Sequence, residues 1–148
     1  MKINIAIKLI IACFSYFNFY GQNLETHKWK HRIVIIKASE IDSNTSQKQL
    51  QEFRNSTREL IDRKIVMYKI TGDKFQYIDY SNSKLNHSGK ISETLTKRVL
   101  NKNIKFEVLL IGLDGGIKLQ QKKVLIKEKL FEIIDSMPMR QAELKKRG

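Results

Sequence analysis

A hairpin followed by a helix, in the last third of the chain, is the feature that most constrains the fold. Two apolar runs, residues 105–111 and 117–120, flank an Asp-Gly pair, Asp114-Gly115. That pattern predicts two antiparallel strands joined by a tight turn. Residues 126–136 then carry apolar side chains at helical spacing, which predicts an amphipathic helix that Pro138 ends. The buried stripe of this helix is predicted to consist of Ile126, Leu130, Ile133, Ile134 and Met137.

Two strands and a helix are predicted in the first half. Residues 32–37 form a continuous β-branched run, typical of a strand buried on both faces, and residues 65–70 form a second run that ends at Thr71-Gly72-Asp73. Between them, Ser46 and Gln49 fit a capping box at the start of a helix. A strand, a helix and a strand of this length predict a right-handed parallel crossover. The apolar positions of the helix are Leu50, Phe53, Thr57, Leu60 and Ile61.

The region between the second strand and the hairpin is less regular. Residues 74–91 are polar, with Tyr77, Ile78 and Tyr80 indicating either a short extra strand or an ordered loop. Residues 92–101 have apolar side chains at helical spacing behind Ser92 or Ser88, which predicts a short capped helix. The predicted order is therefore βαβ-α-ββ-α, an α/β fold of the thioredoxin-like arrangement in a single domain.

The N-terminus has the pattern of a secretory signal peptide. Lys2 and Lys8 precede the mostly apolar residues 9–20, and Gly21 and Gln22 provide a small residue and a polar start at a plausible cleavage point. The apolar run is too short for a membrane-spanning helix. We therefore expect export to the periplasm or the extracellular space, with cleavage after residue 21.

Cys13, the only cysteine, keeps a second mode of export open. The sequence Ile10-Ile11-Ala12-Cys13 matches a lipoprotein box, so a form anchored by lipid at Cys13 is the alternative. Aromatic residues continue after the cysteine, whereas a lipid tether is normally polar, so we favour the soluble form. Cleavage leaves one domain, residues 22–148, with no cysteine for a disulfide, a thiol nucleophile or a thiolate metal site.

The chain is strongly basic. Its formal net charge is +13, and removing Lys2 and Lys8 with the signal peptide lowers it by two, to +11. A charge of this size favours anionic partners. For an exported protein we expect an acidic glycan, lipopolysaccharide or an envelope protein, and not nucleic acid. The alternative is that lysine and arginine merely solvate the surface, because they are spread along the chain.

Several segments together resemble the domain of unknown function 4174 (DUF4174) family over nearly all of residues 22–148. They are residues 28–32, residues 66–73, the hairpin 111–119 and the sequence Ile134-Asp135-Ser136-Met137-Pro138-Met139-Arg140. The family includes secreted bacterial proteins and domains of animal sushi-repeat-containing and coiled-coil-domain-containing matrix proteins. The resemblance implies a thioredoxin-like fold related to peroxiredoxins, with no settled biochemical role. Its motif residues here are Asp114, Gly115, Gly116, Lys118, Asp135, Met137, Pro138, Met139 and Arg140.

Two features of thiol-redox members of the wider fold are missing. Their nucleophilic cysteine lies in the loop after the first strand, where a helix N-terminus stabilises a thiolate. Here that loop, residues 38–45, contains no sulfur. Residues 102–105 also lack the proline that such enzymes carry ahead of the third strand. Both differences argue against thiol-disulfide or peroxidase chemistry.

Other candidate sites are interpreted as structural. His27 and His31 would bind a metal only on a helix, so we predict two surface histidines beside Trp29, which would anchor the edge of the core. The Asp-Gly-Gly sequence opens a strand and not a helix, which indicates a turn and not a phosphate loop. The remaining carboxylates, Glu40, Asp42 and Asp73, are interpreted as caps and turn residues. We expect no metal and no cofactor.

Two classes of function remain. The first is an exported, non-catalytic binding or interaction module that presents a basic surface to anionic envelope or matrix partners. The second is an enzyme, or an oxidoreductase relic, that acts without a cysteine, for which a pocket holding Asp42, Ser43 and Asp73 with a tightly bound ion would be evidence. We favour the first class, because no residue set in the sequence specifies a reaction.

Overall fold

A six-stranded mixed sheet organises the part of the chain that this computed structural model describes, which comprises residues 23–39, 44–99 and 103–148. The strands are β1 (Arg32–Ala38), β2 (Ile65–Thr71), β3 (Lys74–Asp79), β4 (His87–Lys90), β5 (Phe106–Ile111) and β6 (Ile117–Gln121). They lie in the order β4-β3-β2-β1-β5-β6. Strand β1 is parallel to β2 and antiparallel to β5, and the other neighbouring pairs are antiparallel.

Five α-helices accompany these strands within the described ranges. They are α1 (Asn44–Phe53), α2 (Thr57–Asp62), α3 (Glu93–Val99), α4 (Lys127–Asp135) and α5 (Pro138–Lys145), and short 3-10 helices cover Leu24–His27 and Ser83–Leu85. Among the described residues, no helix combines the length and the apolar character needed to cross a membrane.

The mixed α/β class, the parallel strand pair and the C-terminal hairpin are confirmed. Arg32 of β1 lies opposite Ile65 of β2 in a parallel register, and β5 and β6 pair across the predicted turn. The predicted cap of α3 is also confirmed, since the Leu95 amide donates to the Ser92 hydroxyl oxygen at 3.2 Å. The end predicted for this helix, Leu100 and Asn101, lies outside the described residues.

The predicted order βαβ-α-ββ-α is incomplete. Residues 74–91 contain two strands, β3 and β4, which extend the sheet beyond β2. Along β3 the side chains of Phe75, Tyr77 and Asp79 are buried while their neighbours are more exposed. Tyr77 packs against Tyr68 of β2, with ring centroids 5.1 Å apart. Cross-strand aromatic packing stabilises this polar region as sheet.

The capping-box prediction is wrong. Helix α1 begins at Asn44, so Ser46 and Gln49 lie inside it, and both are buried. The Gln49 side chain instead bonds both backbone groups of Leu125: its Oε1 accepts from the amide at 2.7 Å, and its Nε2 donates to the carbonyl at 2.9 Å. A tertiary contact that satisfies a buried strand-to-helix connection has taken the place of a local cap.

The first predicted helix is in fact two helices. Helix α1 ends at Phe53 and α2 begins at Thr57. Between them Arg54 and Asn55 form a turn, which the Ser56 amide closes by donating to the Phe53 carbonyl at 3.2 Å. Asparagine and serine favour turns because their side chains compete for backbone hydrogen bonds.

Pro138 ends one helix, as predicted, but it also begins another. It stands at the first position of α5, where a missing N–H costs nothing. The predicted stripe of α4 is correct for Leu130 and Ile134, which are buried, and wrong for Ile126, which is 51% exposed at the N-cap position. Ile133 and Met137 are partly buried against the core.

The core has two layers, one on each face of the sheet. Val34 and Ile36 of β1 face the layer under α1, α2 and α4, whereas Ile33 and Ile35 face the layer that contains Leu95 of α3. Alternation along one strand therefore supplies both layers, as the continuous apolar run predicted.

Candidate functional site

A cavity of about 460 Å³ lies where the β5–β6 turn meets the corner between α4 and α5. Its wall is formed by one buried arginine, the turn and the corner, namely Arg32, Gly112, Leu113, Asp114, Lys118, Ile133, Ser136, Met137, Pro138 and Met139. We refer to it as the motif cavity, since five of these residues belong to the motif identified in the sequence. The fold thus brings two separate segments of that motif to one site.

The turn that forms one side of the motif cavity is closely bonded. The Gly112 amide donates to the Gly116 carbonyl at 2.9 Å, and Gly115 has φ +80°, a conformation that favours glycine. The Asp114 carboxylate accepts from the Gly116 amide at 3.0 Å and from the Lys118 ammonium at 2.7 Å. The Lys118 hydrogen bond is the main reason that the pKa of Asp114 is lowered. The cation of Lys118 is therefore already paired.

The α4–α5 corner forms the other side. The Ser136 hydroxyl donates to the Ile133 carbonyl at 2.7 Å, and the Met137 amide donates to the Ile134 carbonyl at 3.0 Å, so the end of α4 is satisfied internally. Met137 is the N-cap of α5 and makes no side-chain capping bond. The positive end of α5, with Pro138 and Met139 in the cavity wall, is left without a side-chain acceptor.

Arg32 is the most unusual residue of the cavity wall. It stands at the start of β1 and its side chain is 1% exposed. Its Nη1 donates to the Arg63 carbonyl at 2.9 Å and lies 3.4 Å from the Glu143 carboxylate. Its Nε and Nη2 have no hydrogen-bond partner among the described residues. Burial lowers the pKa of Arg32, because the charged form is poorly solvated, although Glu143 opposes that effect.

An ion-pair cluster joins Arg32 to α2, α4 and α5. Arg140 contacts Asp62, and its Nε lies 3.2 Å from the Asp135 carboxylate. The Nη2 of Arg63 lies 2.6 Å from the same carboxylate. Arg32 and Arg140 are buried, so removing a carboxylate partner would leave a buried charge uncompensated, and Asp135 and Arg140 of the motif therefore have a structural role here. The members of the ion-pair cluster are Arg32, Arg63, Lys64, Arg140 and Arg147 with Asp62, Asp135 and Glu143.

Sequence reasoning did not identify Arg32 as a site residue. The available signal was a charged residue at the start of an otherwise apolar strand, on the same face as Val34 and Ile36. A cation at such a position is enclosed when the strand is central. The predicted cleavage-site residues Gly21 and Gln22 lie outside the described residues.

The predictions for His27 and Trp29 are wrong. His27 is 9% exposed, with Nε2 2.8 Å from the Tyr68 hydroxyl oxygen and Nδ1 3.3 Å from Nδ1 of His31. Trp29 is 60% exposed, and its backbone has φ +65°. It is the Trp29 amide that anchors this segment, by donating to the Leu113 carbonyl at 2.7 Å.

The carboxylates interpreted as caps and turn residues are only partly described. Glu40, Asp42 and Ser43 lie outside the described residues. Asp73 follows Gly72 in the β2–β3 turn, where its carbonyl accepts from the Ile91 amide at 2.9 Å. Within the described ranges, no three histidine, cysteine, aspartate or glutamate side chains lie close enough together to hold a metal ion.

Two comparisons with known proteins bear on the chain. The family model described as "Domain of unknown function (DUF4174)" matches residues 23–143, which include both sides of the motif cavity. A search of curated proteins gives no match.

Proposed function

The chain belongs to the DUF4174 family, and from that premise we propose that it is an exported, non-catalytic binding module of thioredoxin-like fold. Its proposed ligands are anionic, and they bind in the motif cavity. The observation that carries this proposal is Arg32, which lines the cavity and whose buried guanidinium has two nitrogens without a hydrogen-bond partner among the described residues. Buried polar groups are normally hydrogen-bonded, and an exception calls for an explanation such as a bound ion. An anionic group would satisfy this one.

The rest of the cavity supports a ligand with an apolar body. Leu113, Ile133, Met137 and Met139 line it beside the cation. Small-molecule sites are typically cavities of about 300–1,000 Å³ with apolar walls and a few polar groups that fix orientation. The motif cavity has that size and that composition.

The proposed fold rests on the arrangement around β1. Setting aside β3 and β4, the order β2-β1-β5-β6 has one parallel pair followed by an antiparallel hairpin, with helices between. This arrangement supports the proposed thioredoxin-like fold, with β3 and β4 as an insertion after β2. Binding without catalysis is supported by residues 22–148, which contain no cysteine.

Export and the outer partners are proposed from the sequence. The basic, apolar and small-residue pattern of residues 1–21 supports a cleaved signal peptide, with a lipid anchor at Cys13 as the alternative. The net charge of +11 after cleavage supports attraction to an acidic glycan, lipopolysaccharide or an envelope protein.

A pair of tryptophan substitutions tests whether the motif cavity is the binding site. Met139 and Leu144 lie on the same helix and are similarly exposed, at 40% and 38%, but only Met139 lines the cavity. The probe is 1-anilinonaphthalene-8-sulfonate, which combines one anionic group with an apolar body. We expect it to shift the amide NMR signals of Gly112 and Ser136, and we expect M139W to abolish these shifts while L144W retains them. Unchanged binding to M139W would place the site elsewhere.

A further inference from the structure

The free edge of the Arg32 guanidinium has a defined geometry. Arginine presents its N–H donors in a planar fork, and Nε and Nη2 form one edge of that fork. In Arg32 the remaining nitrogen, Nη1, is held by the Arg63 carbonyl, whereas Nε and Nη2 have no partner among the described residues. The unoccupied hydrogen-bonding capacity is therefore two parallel N–H groups, side by side.

A neighbouring arginine shows what such an edge binds in this protein. Arg63 uses the same two nitrogens for a single carboxylate: its Nε lies 3.1 Å from Oδ1 of Asp135, and its Nη2 lies 2.6 Å from Oδ2. Two parallel N–H groups match the two oxygens of a carboxylate. Arg32 offers the same edge without that partner.

The charge balance permits an additional anion. The ion-pair cluster around Arg32 has five cations but three carboxylates, and two of the cations, Lys64 and Arg147, are about half exposed. Lys118, the other cation in the cavity wall, is paired with Asp114 at 2.7 Å. Arg32 therefore supplies the only unpaired edge of a cavity-lining cation within the described residues. One such edge suits a singly charged group better than a phosphate dianion. The nearby carboxylates of Asp114 and Glu143 would repel a ligand with two negative charges more strongly.

We propose that the motif cavity binds a small organic monocarboxylate, held by Nε and Nη2 of Arg32 in a two-point contact, with its apolar body against Ile133, Met137 and Met139. Because both nitrogens are buried, the Arg32 side chain must turn towards the cavity to reach the carboxylate. This inference rests on the proposed function, since it names the chemical class of ligand for the same cavity. The carboxylate completes the guanidinium fork, and the apolar walls select against acids with little apolar surface, such as acetate.

Three ligands with the same six-carbon chain test the head group. Hexanoate, hexyl phosphate and 1-hexanol are titrated into the full chain, and binding is followed through the amide NMR signals of Gly112 and Ser136. We expect hexanoate to bind at least about tenfold more tightly than hexanol, because charge-assisted hydrogen bonds are the stronger class. Hexanoate should also bind more tightly than hexyl phosphate.

The outcomes separate this inference from the proposed function. Tighter binding of hexyl phosphate would overturn the monocarboxylate inference and leave an anion-binding cavity. Equal binding of hexanoate and hexanol would overturn the role of Arg32. If no probe, including the anilinonaphthalene sulfonate, shifts either amide signal, the proposed function itself is overturned.

An arginine-to-lysine pair tests the two-point contact. R32K keeps a positive charge but has no fork, so hexanoate should lose its advantage over hexanol. R54K, at an exposed position on the α1–α2 turn, is the matched control and should bind as the wild type does. If R32K does not fold, the Arg32 Nε–H signal of the wild-type protein decides: hexanoate should shift it and hexanol should not. A signal that hexanoate leaves unmoved would overturn the inference.

Discussion

At the scale of single residues, His27 illustrates how burial changes chemistry. Its ring packs against the buried rings of Tyr68 and Tyr77. Its Nε2 contacts the Tyr68 hydroxyl oxygen, and its Nδ1 contacts Nδ1 of His31. Burial and then the neighbouring His31 lower the pKa of His27 from 6.5 to about 4. The folded protein therefore holds His27 neutral at a pH where the unfolded chain protonates it.

This pKa predicts a loss of stability in mild acid. Because the folded-state pKa is the lower one, the unfolded state binds more protons as the pH falls from 6.5 towards about 4, and the free energy of unfolding decreases. The contribution is on the order of 2 to 3 kcal/mol. Urea unfolding across that range should show the decrease for the wild type and a smaller one for H27Q.

The matched control replaces the exposed His87. Its Nδ1 lies 2.8 Å from the Leu85 carbonyl oxygen, and its ring, although exposed, packs against Tyr77 with centroids 5.0 Å apart. H87Q should follow the wild-type pH dependence. If H27Q and the wild type lose stability in parallel as the pH falls, then His27 is not the residue responsible.

At the scale of elements, the α4–α5 corner joins stability to the candidate site. Helix α4 packs on the sheet through Leu130 and Ile134, and its last turn supplies part of the motif cavity wall. Pro138 separates the two helices because it has no N–H to continue the first and a backbone angle suited to starting the second. The packing of α4 therefore sets the position of the corner.

Two isoleucine substitutions test that packing. Ile134 is fully buried, so I134A should lower the free energy of unfolding by about 2 to 5 kcal/mol through lost burial and a residual cavity. Ile126 is half exposed at the start of the same helix, so I126A should lower the free energy of unfolding by no more than about 0.5 kcal/mol. Urea denaturation measures both. Equal losses would mean that the buried face of α4 has been misassigned.

At the scale of the whole molecule, charge acts in two ways. The surface carries a net positive charge, which attracts polyanions over a distance that salt shortens. The ion-pair cluster holds two arginines, Arg32 and Arg140, inside the fold, where solvent screens their charges much less. Binding at the surface and binding in the motif cavity should therefore respond differently to ionic strength.

The salt dependence of heparin binding tests the surface. For the chain without residues 1–21, we expect the affinity for heparin to fall at least about tenfold between about 0.05 and 0.5 M salt, because counterions compete for the basic residues. Surface plasmon resonance at a series of salt concentrations measures it, with neutral dextran as the control polymer. Affinity that does not change with salt would show that a specific pocket, and not the basic surface, makes the contact.

The sequence by itself determined the elements whose side-chain pattern is strong and local. The apolar run of β1, the Asp114-Gly115 turn, the Ser92 cap and the stop at Pro138 all depend on neighbours within a few residues, so the sequence was sufficient to predict them. The DUF4174 assignment rests on the same kind of information and is confirmed over residues 23–143.

Only the tertiary structure decided the features that depend on distant partners. Gln49 became a partner of Leu125, β3 was stabilised by Tyr68 and Tyr77, and His27 became buried while Trp29 did not. None of these outcomes follows from local preference, because burial and long-range hydrogen bonds outweigh the small differences between local conformations. The motif cavity is the clearest case. The motif residues were visible in the sequence, but their meeting at Arg32 required the central position of β1 in the folded sheet.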